Sequence, residues 1–423
     1  MQQLKRAALV AATFLVTAWL SRALGHAATE AVPVWLGSGV TFAALLVGAR
    51  WSWPATLAGA AVAAAAWGAV AHGLGPSGAL AFGAIEVVSM AFGGWIATLG
   101  RHDPESPAGA ALLIAGALAA AAVGGLLAVE LWRWQRPAAD LAVEWRAWAG
   151  STAVGILLVA PLAAAFRGFR VRRSGGLPMG RFLGGAAAFV AFVATVLVVF
   201  ADQAAQRFGS LEPTLAYLPM PFLLIAAVLW GARGGALATL AGSLLIVGRT
   251  AGGGGPFVVA EAFAGEAVVE VQGFVAVWAV VLLLARALSE GRLAALERAR
   301  DWRLRYERTL QAVGVASVEY DAVTGRATWG EGAAWVLGPA VTQVASLADW
   351  LDRIDAAERG LVQAAWQAVA SGQAPASEQD YAVRLADGRV LRVRERLAGV
   401  RGADGVVEQV VALLQPAAES SHG

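Results

Sequence analysis

A mainly α protein is predicted: a polytopic membrane helix bundle of about ten spans, followed by a small C-terminal α+β domain. Three observations carry this. Hydrophobic residues make up 58% of the 423, and the mean hydropathy is +0.62, more apolar surface than a water-soluble core of this length needs. Charge is uneven: 28 charged side chains precede Arg286, and 34 lie from Arg286 onward. Near Val315 the pattern changes from long apolar runs to short alternating ones.

The apolar runs place spans at about 6–24, 33–49, 53–72, 79–100, 107–129, 147–166, 182–201, 215–231, 235–251 and 266–286. Several are rich in Ala and Gly, which lets helix backbones approach closely. The first run, behind Lys5 and Arg6, also has the make-up of a signal peptide, with small residues at Ala27 and Ala28 suited to cleavage. An uncleaved first helix is the preferred reading, because the next segment behaves as part of the same bundle. With the N-terminus inside, Lys5, Arg6, Arg50, Arg101, Arg167, Arg170, Arg172, Arg173, Arg181 and Arg233 fall on inner loops. Arg22, Arg133, Arg136, Arg146, Arg207 and Arg249 fall on outer ones. The bias predicts a multi-pass protein of the bacterial inner membrane with both termini cytoplasmic.

Composition also excludes. There is no cysteine, so disulfides, thiolate metal sites and cysteine nucleophiles are absent. The four histidines, His26, His72, His102 and His422, form no ligand cluster in the sequence. No metal and no cofactor are expected. A net charge of +2, spread over short loops, speaks for topology rather than nucleic acid.

After Arg286 a Pro-free helical run begins, with Leu288, Ala295, Ala299, Trp302 and Tyr306 on a heptad-like stripe. It reads either as a dimeric signalling helix or as a solvated helix leaving the membrane. Beyond it, VASVEYD and RATW alternate as strands around Thr324-Gly325. SLADWLDRI and AERGLVQAAWQAVASG read as helices, and three further strands are separated by Asp387-Gly388 and Asp404-Gly405 turns. Trp329, Trp335, Trp350 and Trp366 are expected to fill the small core.

WLGSGVTFAALLVGARWSWPATLAG (35–59), WAGSTAVGILLVAP (148–161), YLPMPFLLIAAVLWGARGGA (217–236) and the segment 255–288 resemble, in order and spacing, the bacterial membrane-associated sensor domain of the first MASE class. The resemblance covers nearly all of the first 288 residues. Thr152 stands where the family commonly has an Asp, so any role of that Asp in signal binding is in doubt here. The tail resembles a PAS domain, most strongly at Tyr381–Arg389. Its usual His-Pro-x-Asp turn is degenerate, as Asp355-Ala356-Ala357-Glu358. Without Cys, or a His before His422, neither cysteine–flavin photochemistry nor His-ligated haem is expected in it.

The expected domains are a membrane sensor (1–288), a helical linker (289–310), a PAS-like domain (311–416) and a disordered tail (417–423). The resemblance implies a sensor that normally precedes a kinase, cyclase or phosphodiesterase. No Gly-Gly-Asp-Glu-Phe loop, Glu-x-Leu box, phosphoacceptor hairpin or ATP lid occurs in these residues, so no enzyme activity is expected. The expected partners are membrane lipid, a second copy through the linker and PAS-like domain, and a separate kinase or cyclase. A truncated histidine kinase or diguanylate cyclase is one alternative. A small-solute or proton-coupled transporter with a regulatory tail is the other.

Ionisable side chains within spans are the functional candidates, because each is costly in lipid. Glu86 lies in the fourth span, Glu266 and Glu270 on one face of the tenth, and Arg249 near the end of the ninth. GARWSWPATLAG (48–59) and GARGGALATLAG (231–242) match at eight of twelve positions. An offset of 183 residues then suggests two parallel copies, with Glu86 and Glu270 facing each other.

Overall fold

The computed structural model describes residues 1–25, 32–135, 140–169, 176–202, 212–258, 266–385 and 387–417. The expected tail, apart from Ala417, lies outside the described residues, as do Ala27, Ala28, Arg136, Arg170, Arg172, Arg173, Arg207, His26 and His422. The chain forms two compact units, Met1–Leu293 and Ala294–Gly423.

The first unit is all helix. α1 spans Gln2–Ala23, α2 Leu36–Val47, α3 Trp53–His72, α4 Pro76–Ala97 and α5 Pro107–Gln135. α6 spans Leu141–Ala165, α7 Met179–Val199, α8 Glu212–Leu215, α9 Met220–Ala251 and α10 Glu266–Ala312. Local chemistry fixes many ends. Pro54, Pro76 and Pro107 sit in first turns, where the missing N–H costs nothing. Asp140 caps α6 by accepting from the Ala142 and Val143 N–H groups. Gly73, at φ 66°, ends α3.

Eight of these helices are long and apolar enough to cross a membrane. Three of the expected spans differ in form. α2 has only 12 residues, about 18 Å against a hydrocarbon core of about 30 Å. It still runs antiparallel to α1. The Leu36 N–H donates to Ser21 Oγ near one end (3.0 Å), and Arg6 donates to the Ala44 carbonyl near the other (3.1 Å). Residues 32–35 complete the passage without helix, and the Trp35 N–H is satisfied by the Ser151 carbonyl (2.9 Å).

The expected eighth and ninth spans share α9, which reverses at Gly231 (φ 67°, ψ −161°). In a straight helix, residues 227 and 235 would lie about 12 Å apart. Here a Cβ added at Gly235 would sit 3.1 Å from the Ala227 carbonyl carbon. The arms 220–230 and 232–251 thus form a hairpin against α7, tied by Trp230 to the Phe182 carbonyl (3.1 Å) and by Arg249 to the Phe200 carbonyl (3.1 Å). The 183-residue offset carries α2 onto 219–230, so both sequence copies follow a short helix.

Glycines set the helix contacts. A Cβ at Gly39 would meet the Gly155 carbonyl, and one at Gly155 the Trp35 carbonyl, so α2 and α6 pack backbone to backbone. Gly93 and Gly116 do the same for α4 and α5. The core between helices holds Phe42, Leu45, Met90, Leu113, Ile156 and Leu157, all almost fully buried.

The second unit holds β1 (Ala316–Asp321), β2 (Ala327–Trp329), α11 (Ala333–Leu337), α12 (Leu347–Leu351), α13 (Ala356–Ala370), β3 (Ala376–Arg384), β4 (Val390–Arg401) and β5 (Val407–Pro416). Its antiparallel sheet has the order β2-β1-β5-β4-β3, with the helices between β2 and β3. This is the small α+β domain the sequence led us to expect. Alternation along β4 turns Val393, Glu395 and Leu397 inward and Arg394 and Arg396 outward. The outward pair meets Asp380 (2.9 Å) and Glu378 (3.1 Å) across the β3–β4 ladder. Trp350 fills the core, and Trp329 and Trp366 lie at its margin. Trp335 does not: it is 79% exposed, on a five-residue helix whose inward positions are Ala333 and Leu337. Asp355 of the degenerate turn caps α13, and Glu358 accepts from the Ala382 N–H (2.8 Å).

Candidate functional site

Three polar arrangements stand out in the membrane unit. The first surrounds Glu86, 4% exposed near the middle of α4. The Ser38 hydroxyl of α2 donates to its Oε2 at 2.7 Å. Thr41, three residues further along α2 and also buried, donates to the Gly37 carbonyl of its own helix (3.2 Å). The other carboxyl oxygen, Oε1, has no hydrogen-bond partner among the described residues. A polar atom left so in an apolar bundle is costly. The short α2 is what delivers Ser38 there.

The second is a cavity of about 610 Å³ beside α10. Tyr217, Phe257, Glu270, Phe274 and Trp278 are among the side chains lining it. Glu270, Phe274 and Trp278 are spaced by four, so they share one helix face. Phe274 is the hub: its ring centroid lies 5.5 Å from that of Tyr217, 5.4 Å from Phe257 and 6.5 Å from Trp278. Glu270 is exposed, and no hydrogen bond or ion pair to its carboxyl occurs among the described residues. Glu266 lies one turn away, half-buried.

The third lies beside the α9 reversal, where Arg181 donates to the Val228 carbonyl just before it and Arg233 follows just after it. Arg286 is 5% exposed, and its Nε has no hydrogen-bond partner among the described residues. Its Cδ lies 2.8 Å from where a Cβ of Gly235 would sit, so it runs against the second arm of α9. Glu290 lies beside the Gly231 reversal, its Oε1 3.7 Å from where a Cβ of Gly231 would sit. Burial raises the pKa of Glu105, in the α4–α5 loop, as do the charges of Glu290 and Asp103; Arg286 and Arg233 oppose this. Arg233 donates to the Ala165 carbonyl at the end of α6 (3.1 Å). This collar joins the α4–α5 loop, the α9 reversal and α10.

The expected facing of Glu86 and Glu270 is not observed. Glu86 is enclosed among α2 and α4 side chains, whereas Glu270 opens onto the separate α10 cavity. Arg249 pairs with Asp202 (2.9 Å) and holds the end of α9 to the end of α7. Thr152 is buried on α6, next to the carbonyl that satisfies Trp35. On α10, Leu288, Ala295, Ala299, Trp302 and Tyr306 are all exposed. Sequence reasoning missed Ser38, Thr41, Gln272, Arg286, Glu290 and Glu105. Gln272 lies two residues past Glu270 on another face, where it donates to the Val32 and Ala147 carbonyls (3.4 and 3.3 Å). Ser38 and Thr41 were visible as two polar residues three apart in an apolar run.

A protein-family model, MASE1, matches residues 6–292. The chain belongs to the MASE1 family. All three arrangements fall inside the MASE1 match, and the PAS-like domain follows it. Among solved structures, a sensory box histidine kinase/response regulator from Burkholderia thailandensis E264 is similar at 15% identity, over 26% of this chain and 83% of that one, with a TM-score of 0.23. An RNA-binding light-oxygen-voltage receptor is similar at 22% identity, over 24% of this chain and 29% of that one, with a TM-score of 0.21. No curated protein matches the chain.

Proposed function

We propose that this multi-pass membrane protein is a signal sensor. A stimulus shifts its bundle between two packings, and α10 relays the shift to the PAS-like domain and on to a separate kinase or cyclase. The observation that carries this reading is membership of MASE1 in a bundle that keeps a carboxyl, Glu86, in its apolar interior. The collar supports the relay. Arg286 and Glu290 on α10 lie against the second arm of α9 and beside its reversal, so a movement of either helix changes their surroundings. We place the N-terminus and the PAS-like domain in the cytoplasm, since Lys5, Arg6, Arg50, Arg101, Arg181 and Arg233 share the collar's side. Dimerisation along the exposed stripe from Leu288 to Tyr306 would bring two output proteins together.

The test is a fusion of residues 1–416 to a cyclase of known activity, screened against candidate stimuli. A fusion whose output moves with a stimulus, and stops moving after Glu86→Gln, supports sensing. Output indifferent to every stimulus and to every bundle substitution removes it.

One observation favours a second reading. The parallel repeat, with a short helix ahead of each copy, is an arrangement met in transporters. Uptake of a solute into liposomes driven by a proton gradient, and lost on Glu86→Gln, would establish it.

A further inference from the structure

The α10 cavity has a chemistry that the sensor reading leaves unused. Its wall is unusually aromatic: Tyr217, Phe257, Phe274 and Trp278, with Phe274 in ring contact with the other three. Aromatic faces carry negative quadrupole potential and attract cations within about 6 Å of a ring centre. The charged side chain in the lining is a carboxylate, Glu270, which has no cation paired to it among the described residues. Rings and charge therefore favour the same ligand sign.

The lining also selects among cations. A hard metal ion needs six or more oxygen ligands to replace its water. Here Thr214, Tyr217 and Glu270 are the oxygen-bearing side chains of the lining, and no group of three His, Asp or Glu suited to a metal occurs among the described residues. A guanidinium or primary ammonium brings several N–H groups, each needing an acceptor. A quaternary ammonium brings none, is weakly hydrated, and gains from aromatic contact on all sides. At about 610 Å³, the cavity lies within the range of small-molecule sites and has room for such a headgroup with a substituent.

We propose that this cavity binds a quaternary ammonium group, with Phe274 and its three ring neighbours as the cage and Glu270 as counter-charge. The proposal rests on the sensor reading, for which it names the class of stimulus. The site is assembled from three stretches of chain far apart in sequence: Thr214 and Tyr217, then Pro256 and Phe257, then 270–278. Occupancy would therefore tie α10 to the segments on either side of α9.

The test is calorimetric titration of the full chain in phosphatidylglycerol nanodiscs. Tetramethylammonium, choline and benzyltrimethylammonium are the probes, and 3,3-dimethylbutan-1-ol, the neutral isostere of choline, is the control. The expected result is choline binding at least tenfold tighter than its isostere, about tenfold weaker after Glu270→Gln or Phe274→Leu, and partly retained by Glu270→Asp. Glu270 is exposed, so its Gln variant is expected to fold; thermal unfolding of each variant checks this. Repeating the titration with phosphatidylcholine in the discs separates two sources. Suppressed choline binding assigns the site to a lipid headgroup, and unchanged binding assigns it to a free solute. If none of the three cations outbinds the neutral control, or if Glu270→Gln leaves their affinities unchanged, the site is overturned. Binding is read without any output, so that failure leaves the sensor reading standing. Binding that holds while the cyclase fusion responds to no stimulus keeps the site and removes sensing.

Discussion

Glu86 and Glu395 show how differently two buried carboxyls are set. Glu86 depends on Ser38 for its hydrogen bond. Ser38→Ala leaves a second carboxyl oxygen unpaired in the bundle, at a cost of about 1–3 kcal/mol. It should lower the thermal midpoint of the detergent-solubilised protein more than Thr13→Ala on the exposed face of α1. Glu395, on the inner face of β4, is 2% exposed and accepts from Gln379 (2.8 Å). The neighbouring Tyr381 hydroxyl accepts from Trp350 (2.8 Å), and the Tyr320 hydroxyl is buried without a partner among the described residues. Burial raises the Glu395 pKa to about 7, against the hydrogen bonds from Gln379 and Tyr381. The folded domain therefore binds this proton more tightly than the unfolded chain does. Its stabilising contribution is full below about pH 4.5 and is lost as pH rises through about 7, falling by about 3 kcal/mol in all. Hydrogen exchange of the β4 and β5 amides in the full chain should speed up across that window. Glu395→Gln should flatten the response.

Among the helices, close approach and reversal matter more than hydropathy. Gly231 has a φ of 67° and a ψ of −161°, a combination that essentially only glycine adopts. Gly231→Ala should cost about 1–3 kcal/mol and disturb the hairpin, read as increased proteolysis between the arms of α9. Most helices were legible because prolines and glycines bracket the apolar runs, as Pro76 and Pro107 do. The depth of α2 and the reversal in α9 were not, since hydropathy counts apolar residues without saying where they lie. The PAS-like strands were legible from their alternation and Asp-Gly turns. Trp335 was misread because a short helix has one inward side, and Ala333 and Leu337 occupy it. The site was less legible still. Ser38 and Glu86 meet across 48 positions, and the α10 cavity gathers residues from 214 to 278, so no local pattern announces either.

Taken together, the molecule has its polar interior contact at Glu86, its cavity on α10 and its collar around Arg286 on one covalently continuous framework. If the collar couples bundle to output, Arg286→Ala should change the basal activity of the cyclase fusion by about fivefold or more while leaving the protein in the membrane. An unchanged basal level would detach the collar from signalling. Reporter fusions after Gly75 and after Arg101 should report opposite sides of the membrane, with Arg101 on the cytoplasmic side.

The brevity of α2 also bears on how the chain is made. Twelve residues carrying Ser38 and Thr41 are a poor substrate for insertion into lipid on their own. The Leu36 N–H and the Ala44 carbonyl find partners on α1, the Ser38 hydroxyl on α4, and the Trp35 N–H just before α2 on α6. During synthesis α2 would have to wait, sheltered, until α6 emerges more than a hundred residues later. A ribosome-stalled chain ending before Leu141 should therefore leave α2 open to labelling, and one extended past Ala165 should close it.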